Sequence, residues 1–262
     1  MIKDYEGFKG EIFKLTKVDL NAYKERQMKR RIESLIKKNG FSDFNDYLGA
    51  LKTNKDIYEE FVNYLTINVS EFFRNTSQWE VLEKEIFPYL FGKFGKRVKI
   101  WSAACSTGDE PYSLAMVLSK FMPLSQIQII ATDIDKQILA RAEQGIYNEK
   151  SIAGVPKEFK DKYFEKMGAS YRVSDDIKKC IKFKQHNLLK DAYPDNLDLI
   201  VCRNVLIYFT EEAKSEIYKG FNKSLKNEGI LFVGSTEQII QSMKYNFEST
   251  HSFFYKKNGH IL

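Results

Sequence analysis

The chain falls into two stretches that space their apolar and polar positions differently. Up to about residue 75 the apolar residues recur every three to four positions. Within 21–38, Met28, Ile32, Leu35 and Ile36 fall on one side while Arg26, Arg30, Glu33 and Lys37 share another, the pattern of a helix with one buried face. Asn39-Gly40 supplies its stop, a second turn signal lies around Thr53-Asn54, and no run of β-branched residues marks a strand. A small all-helical domain over 1–75 is predicted, followed by a linking helix over 76–95. From about Lys96 the pattern changes. Strand candidates at 98–101, 126–131, 181–185, 197–202 and 230–233 alternate with helical patterns, which predicts an α/β fold over 96–262. Its sheet is doubly wound and parallel, and its ligands bind in the crevice at the carboxyl ends of the strands. The polar, irregular stretch at about 157–182 is an insertion on that core.

Composition adds limits to this picture. The 262 residues, 43% of them hydrophobic, are ample for a buried core. The longest apolar runs fall far short of the roughly 18 residues a membrane helix needs. The first residues carry charges of both signs with no apolar segment before a small-residue cleavage site, so a cytoplasmic protein that does not insert into membranes is expected. Cys105, Cys180 and Cys202 are far apart and form no C-x-x-C pair, which indicates reduced thiols. His186, His251 and His260 form no spaced ligand set, so no metal is expected. Of the formal net charge of +6, residues 1–40 contribute five, with 11 Lys or Arg against 6 Asp or Glu. That asymmetry suits an acidic partner, and the predicted docking residues are Arg26, Arg30 and Arg31, although an ordinary solvated face has the same pattern. A monomer is the default expectation.

The candidate chemistry lies in the loops after the strands. Ser102-Ala-Ala-Cys-Ser-Thr-Gly-Asp-Glu110 is a run of small residues leading into an apolar helix. Asp109 and Glu110 fall where that helix begins and suit the positive end of its dipole, so capping alone explains them as well as ligand binding does. The second strand ends in Ala131-Thr-Asp133-Ile-Asp135, near the offset of about 20 residues at which such folds clamp ribose hydroxyls. A pyrophosphate site would want G-x-G-x-x-G, which Ala104-Cys-Ser-Thr-Gly108 lacks. A nucleoside without a diphosphate fits better, and the positive charges of S-adenosylmethionine suit Glu110 and Asp133. After the third and fourth strands, Asn187 and Asn204 are able to bind a purine edge or an amino-acid headgroup, and a turn role explains Asn187 equally well. Arg203 and Asn204 follow a buried strand directly and must be satisfied in the crevice. His186 is expected to be a hydrogen-bonded structural residue rather than a general base. Upstream, Arg74 suits either a carboxylate of cofactor or substrate or an interdomain salt bridge.

Taken together, five segments resemble the CheR-type chemotaxis receptor methyltransferases: Thr66-x-Asn68-x-Ser70-x-Phe-Phe-Arg74, Trp101-Ser-Ala-Ala-Cys-Ser-Thr-Gly-Asp-Glu-Pro-Tyr-Ser113, Ala131-Thr-Asp-Ile-Asp135, Asn187-Leu-Leu189 and Cys202-Arg-Asn-Val-Leu-Ile-Tyr-Phe209. They lie in order along nearly the whole chain. The resemblance implies a Rossmann-like S-adenosylmethionine methyltransferase domain with a small inserted β-subdomain. It implies cofactor positions at Asn68, Ser70, Arg74, Glu110, Asp133, Asn187, Leu188, Arg203 and Asn204, with Arg74 and Tyr208 closest to the methyl transfer. The implied reaction is methyl-ester formation on glutamate side chains in the cytoplasmic helical domain of chemotaxis receptors, leaving S-adenosylhomocysteine. The chain departs mildly at Ser70, where threonine is common, at Asp109, often glutamate, and at Cys105, often alanine. Residues 166–173 form a short segment where some relatives carry a longer loop that binds a receptor's tail peptide, so tail tethering stays open.

Such chemistry needs few groups. A glutamate with an ordinary pKa of about 4.3 is already a nucleophile at cytosolic pH, which accounts for the lack of a Ser-His-Asp, Cys-His or metal set among the motifs. Aligning oxygen, methyl and sulfur in a dry pocket is worth about 7–11 kcal/mol in favourable systems. Two rivals rank lower. A nucleic-acid methyltransferase would use the basic helices as its arm, but they carry no base-stacking aromatic series. A non-catalytic module would not need the intact Asn68, Arg74, Glu110, Asp133 and Tyr208.

Overall fold

In the computed structural model, which describes residues 4–66 and 70–259, the chain forms two units: Met1–Asn68 with Tyr208–Ser215, and Val69–Ile207 with Glu216–Leu262. The first is built of helices. α1 (Tyr5–Thr16) starts at Asp4, whose carboxylate accepts the Gly7 N–H, one of the donors a helix start leaves unpaired. α2 (Glu25–Lys38) buries Met28, Ile32, Leu35 and Ile36, the four residues whose spacing predicts it. It begins later than residue 21 because Asp19 first caps a 3-10 turn over Leu20–Ala22. Gly40, at φ +78°, ends it, and the Phe41 N–H reaches back to the Ile36 carbonyl. α3 (Phe44–Thr53) is capped by Asp43, and α4 (Lys55–Thr66) follows at once. Phe8, Ile12, Tyr47 and Phe61 are fully buried at the centre of this unit. The distant stretch Tyr208–Ser215 belongs to it through backbone: the Lys24 N–H donates to the Tyr208 carbonyl at 2.9 Å and the Thr210 N–H to the Ala22 carbonyl at 2.8 Å.

The larger unit opens with one continuous helix made of α5 (Thr76–Val81), a π-helical turn (Leu82–Ile86) and α6 (Phe87–Phe94). Trp79, Leu82, Ile86, Phe87 and Leu90 sit in the main core cluster, so the helix expected as a linker is part of the larger unit's core. The remaining elements are β1 (Ile100–Ala103), α7 (Asp109–Leu118), β2 (Ile129–Asp133), α8 (Lys136–Gln144), β3 (Ile146–Asn148), α9 (Lys157–Tyr163), β4 (Phe164–Met167), β5 (Ser170–Val173), α10 (Asp175–Lys178), β6 (Ile181–Gln185), β7 (Leu197–Cys202), α11 (Glu211–Ser224), β8 (Leu225–Val233), β9 (Phe247–His251) and β10 (Phe254–Lys257). The first residues of α11 fall in the smaller unit.

The main sheet has the order β6-β2-β1-β7-β8-β10-β9. β6, β2, β1, β7 and β8 are parallel, and β10 is antiparallel to both β8 and β9. Every residue of β1 and β7 is buried, which is why both read as mainly apolar rather than alternating, broken only by Ser102 and Asp198. The order reverses at β1, so a crevice opens beyond the carboxyl ends of β1 and β7. The α/β expectation holds, and the antiparallel pair at the edge is an addition to it. In β9 only Phe247 is buried, which leaves no apolar run to see. The inserted subdomain is a three-stranded antiparallel sheet, β3-β5-β4. It starts at Ile146 rather than near 157, because left-handed Gly145 turns the chain out of α8 directly into β3. No helix among the described residues is long and apolar enough to cross a membrane.

Candidate functional site

The loop after β1 turns three times through the left-handed region, at Ala104 (φ +63°), Ser106 (+49°) and Gly108 (+90°). A Cβ on Gly108 would also lie 3.0 Å from that of Ala142 and 3.1 Å from the Tyr112 ring, so conformation and close packing both require glycine there. The Tyr147 hydroxyl, from β3 of the inserted subdomain, donates to the Thr107 carbonyl at 2.6 Å and ties that subdomain to the loop. Asp109 and Glu110 lie inside the first turn of α7, and Gly108 at the cap position offers no side chain. The two acids are therefore not caps. The hydroxyls of Thr107 and Ser70 bind the Asp109 carboxylate, and the Ser102 hydroxyl donates to Glu110 Oε1 at 2.8 Å. Asp133 Oδ2 accepts the Ser106 N–H at 2.9 Å and its Oδ1 the Asp135 N–H at 3.1 Å. Asp135 caps α8.

Burial raises the carboxyls of Asp109 and Glu110 above the ordinary range, with Arg203 and Ser102 partly opposing the rise at Glu110. It pushes Asp133 up to about 6. Three buried acids, two in the first turn of α7 and one at the end of β2, disfavour their own charge and are eased by a cationic ligand. The Ser106 hydroxyl oxygen is buried with no hydrogen-bond partner among the described residues, so the loop keeps a polar group in reserve. Acceptors for ribose hydroxyls, carboxylates for positive charge and an unused hydroxyl fit S-adenosylmethionine.

The other expected residues divide. Arg203 is buried and donates from Nη2 to the Arg74 carbonyl at 2.6 Å, Gln78 Oε1 at 3.0 Å and Asn75 Oδ1 at 3.2 Å. Its Nη1 lies 3.7 Å from Glu110 Oε2, and its guanidinium lies over the Phe232 ring at 4.7 Å. These contacts let it position the Arg74 segment and Glu110, while its Nε is buried with no hydrogen-bond partner among the described residues. Asn204 takes a left-handed backbone at φ +61°. Asn187 Oδ1 accepts the Leu189 N–H at 2.9 Å, which makes it a turn residue at that oxygen. The Leu188 carbonyl accepts the Tyr193 hydroxyl at 2.6 Å. His186 is buried against Trp101 and Tyr193, with Nε2 3.3 Å from the Ala192 carbonyl. Burial lowers its pKa, as befits a structural histidine.

Asn68 lies outside the described residues, and Tyr208 belongs to the helical unit. In that unit Arg26 and Arg30 are exposed. Arg31 is half-buried: its Nη2 donates to the Tyr64 carbonyl at 2.7 Å and its guanidinium covers the Tyr64 ring at 4.5 Å. It flanks the buried stripe of α2 and ties that helix to α4. The sequence reading missed Glu237, a buried acid just past β8. Gly234-Ser-Thr-Glu237 at a strand end was the available signal.

A sheet in this order, parallel but for its β10-β9 edge, with a small-residue loop after β1 and an acid closing β2, defines an α/β domain of the S-adenosylmethionine-binding methyltransferase class. Residues 68–254 match the family model described as CheR methyltransferase, SAM binding domain, and residues 3–66 match CheR methyltransferase, all-alpha domain. The chain is 41% identical over 255 residues to the chemotaxis protein methyltransferase of Listeria innocua, covering 97% of each chain. It is 33% identical to that of Borreliella burgdorferi, covering 92% of this chain and 89% of the relative. It is also 33% identical to chemotaxis protein methyltransferase 1 of Pseudomonas aeruginosa, covering 90% of each. The chain belongs to the CheR methyltransferase family.

Proposed function

We propose that this protein transfers a methyl group from S-adenosylmethionine to glutamate side chains in the cytoplasmic helical domain of chemotaxis receptors. The match of both family domains, together with relatives named chemotaxis protein methyltransferases, supports the pathway. The observation that carries the acceptor is the state of His186. The histidine is buried, packed on Trp101 and Tyr193, with Nε2 held against the Ala192 carbonyl, so its ring is poorly placed to reach an acceptor as a base. An acceptor already ionised at neutral pH needs none, and glutamate, at about 4.3, is one.

The cofactor supplies a methyl group already activated on its sulfonium sulfur. Asp133 holds the ribose hydroxyls through carboxylate oxygens fixed by the Ser106 and Asp135 N–H groups. Glu110 and Asp109 supply the negative field for the cofactor's positive groups, and Ser70, Asn187, Leu188, Arg203 and Asn204 complete the lining. Arg74 grips the cofactor carboxylate or steers the incoming glutamate. Tyr208 orients the acceptor carboxylate through its hydroxyl, and Arg26 and Arg30 dock acidic receptor helices.

The test is transfer of labelled methyl from S-adenosylmethionine to receptor cytoplasmic fragments, then mild base to release volatile label. Base-labile label on glutamates is expected, and Tyr208→Phe should lower it while cofactor binding persists. Base-stable label, or label on nucleic acid only, would overturn the acceptor.

A further inference from the structure

We infer that Glu237 is a positioning residue of the cofactor site: its buried carboxylate pre-organises the loop after β7 by holding Asn204 in its left-handed conformation. Both oxygens are used. Oε2 accepts the N–H of Asn204 at 2.5 Å and of Gly234 at 2.9 Å, and Oε1 accepts the N–H of Leu206 at 2.6 Å and of Ile207 at 3.3 Å. A side chain only 5% exposed thus joins four backbone donors from the ends of β7 and β8.

The loop would not hold this shape unaided. Asparagine tolerates a left-handed φ better than most residues but less readily than glycine, and the four N–H groups would otherwise be unpaired. The fit depends on residue 234 as well: a Cβ there would lie 2.5 Å from Glu237 Oε2, 2.8 Å from the Asn204 nitrogen and 3.0 Å from Asn204 Nδ2. Gly234 therefore leaves room for the carboxylate and for the backbone and side-chain amides of Asn204. Arg203, just ahead in the chain, feels the Glu237 charge, as does Glu110. One acid thereby orders the segment that carries two of the residues expected at the cofactor.

The inference rests on the proposed cofactor but not on the proposed acceptor. In Glu237→Gln two N–H donors would face an amide NH2 instead of an oxygen. The expected loss is roughly ten- to a hundredfold in S-adenosylmethionine affinity, measured by calorimetry at a temperature where a melt shows the variant folded. Asn204→Ala should add little on top of Glu237→Gln, since one residue acts through the other. Affinity within twofold of wild type in folded Glu237→Gln, or fully additive losses, would overturn the inference. If the variant does not fold, amide exchange on the wild-type protein decides. Protection at Asn204, Leu206 and Ile207 before the cofactor is added supports pre-organisation, and protection that appears only on its addition refutes it. A wild-type protein that fails to bind S-adenosylmethionine would sink the proposed function instead.

Discussion

Replacing Arg203 with methionine should cost about 3–5 kcal/mol of folding stability at neutral pH, the range for removing one partner of a buried charge pair. The structure shows where the cost falls. The Arg74 carbonyl keeps its bond from Trp79 Nε1 at 3.0 Å, and exposed Asn75 turns to water. Gln78 and Glu110 are both buried and have no such recourse. The stranded Gln78 oxygen costs about 1–3 kcal/mol, and the uncompensated Glu110 charge supplies the rest. Methionine keeps most of the volume against Phe232 and Trp79, so the cavity contribution is small. pH separates the two parts. Burial already raises Glu110, and loss of Arg203 raises it further. An acid whose folded pKa exceeds its unfolded one stabilises the protein only while protonated, and that stability is lost as pH rises through the window. The variant's deficit should therefore widen between pH 5 and pH 8. Urea unfolding followed by the fluorescence of Trp79 and Trp101 measures it. A deficit under about 1 kcal/mol, or one equal at both pH values, would refute the reasoning.

Asp133, lifted from 3.8 to about 6, makes the cofactor-free protein lose up to about 3 kcal/mol of stability as pH rises across that interval. Asp133→Asn should remove that part of the slope, and parallel stability curves for the two proteins from pH 4 to 6 would contradict it. Tyr147→Phe removes the 2.6 Å bond to the Thr107 carbonyl. It should lower stability by about 1 kcal/mol and weaken cofactor binding, since it loosens the loop after β1. Calorimetric affinity and melting temperature both equal to wild type would count against that link.

Much of the fold is written locally. The stripe Met28, Ile32, Leu35 and Ile36 specifies α2, Asn39-Gly40 its end, and the buried runs of β1 and β7 the centre of a parallel sheet, because burial on one or both faces imposes a period on the chain. Asp133 is legible for the same reason, as an acid closing a buried strand. Contacts between distant segments leave no such period. The pairing of β3 with β5 and the return of Tyr208–Ser215 to the helical unit depend on hydrogen bonds between residues far apart in sequence, and β9 buries only Phe247, too little to set a period.

The site shows the same division. Sequence by itself determined the residue types: acids, small residues and amides at strand ends, suited to a positively charged nucleoside. Only the tertiary structure decided what each one touches. It turned Arg203 onto Arg74, Gln78 and Glu110, engaged Arg31 with Tyr64, and closed Glu237 over four backbone N–H groups. The reason is physical: a buried charge must find its partners in three dimensions, and those partners come from wherever the fold brings them.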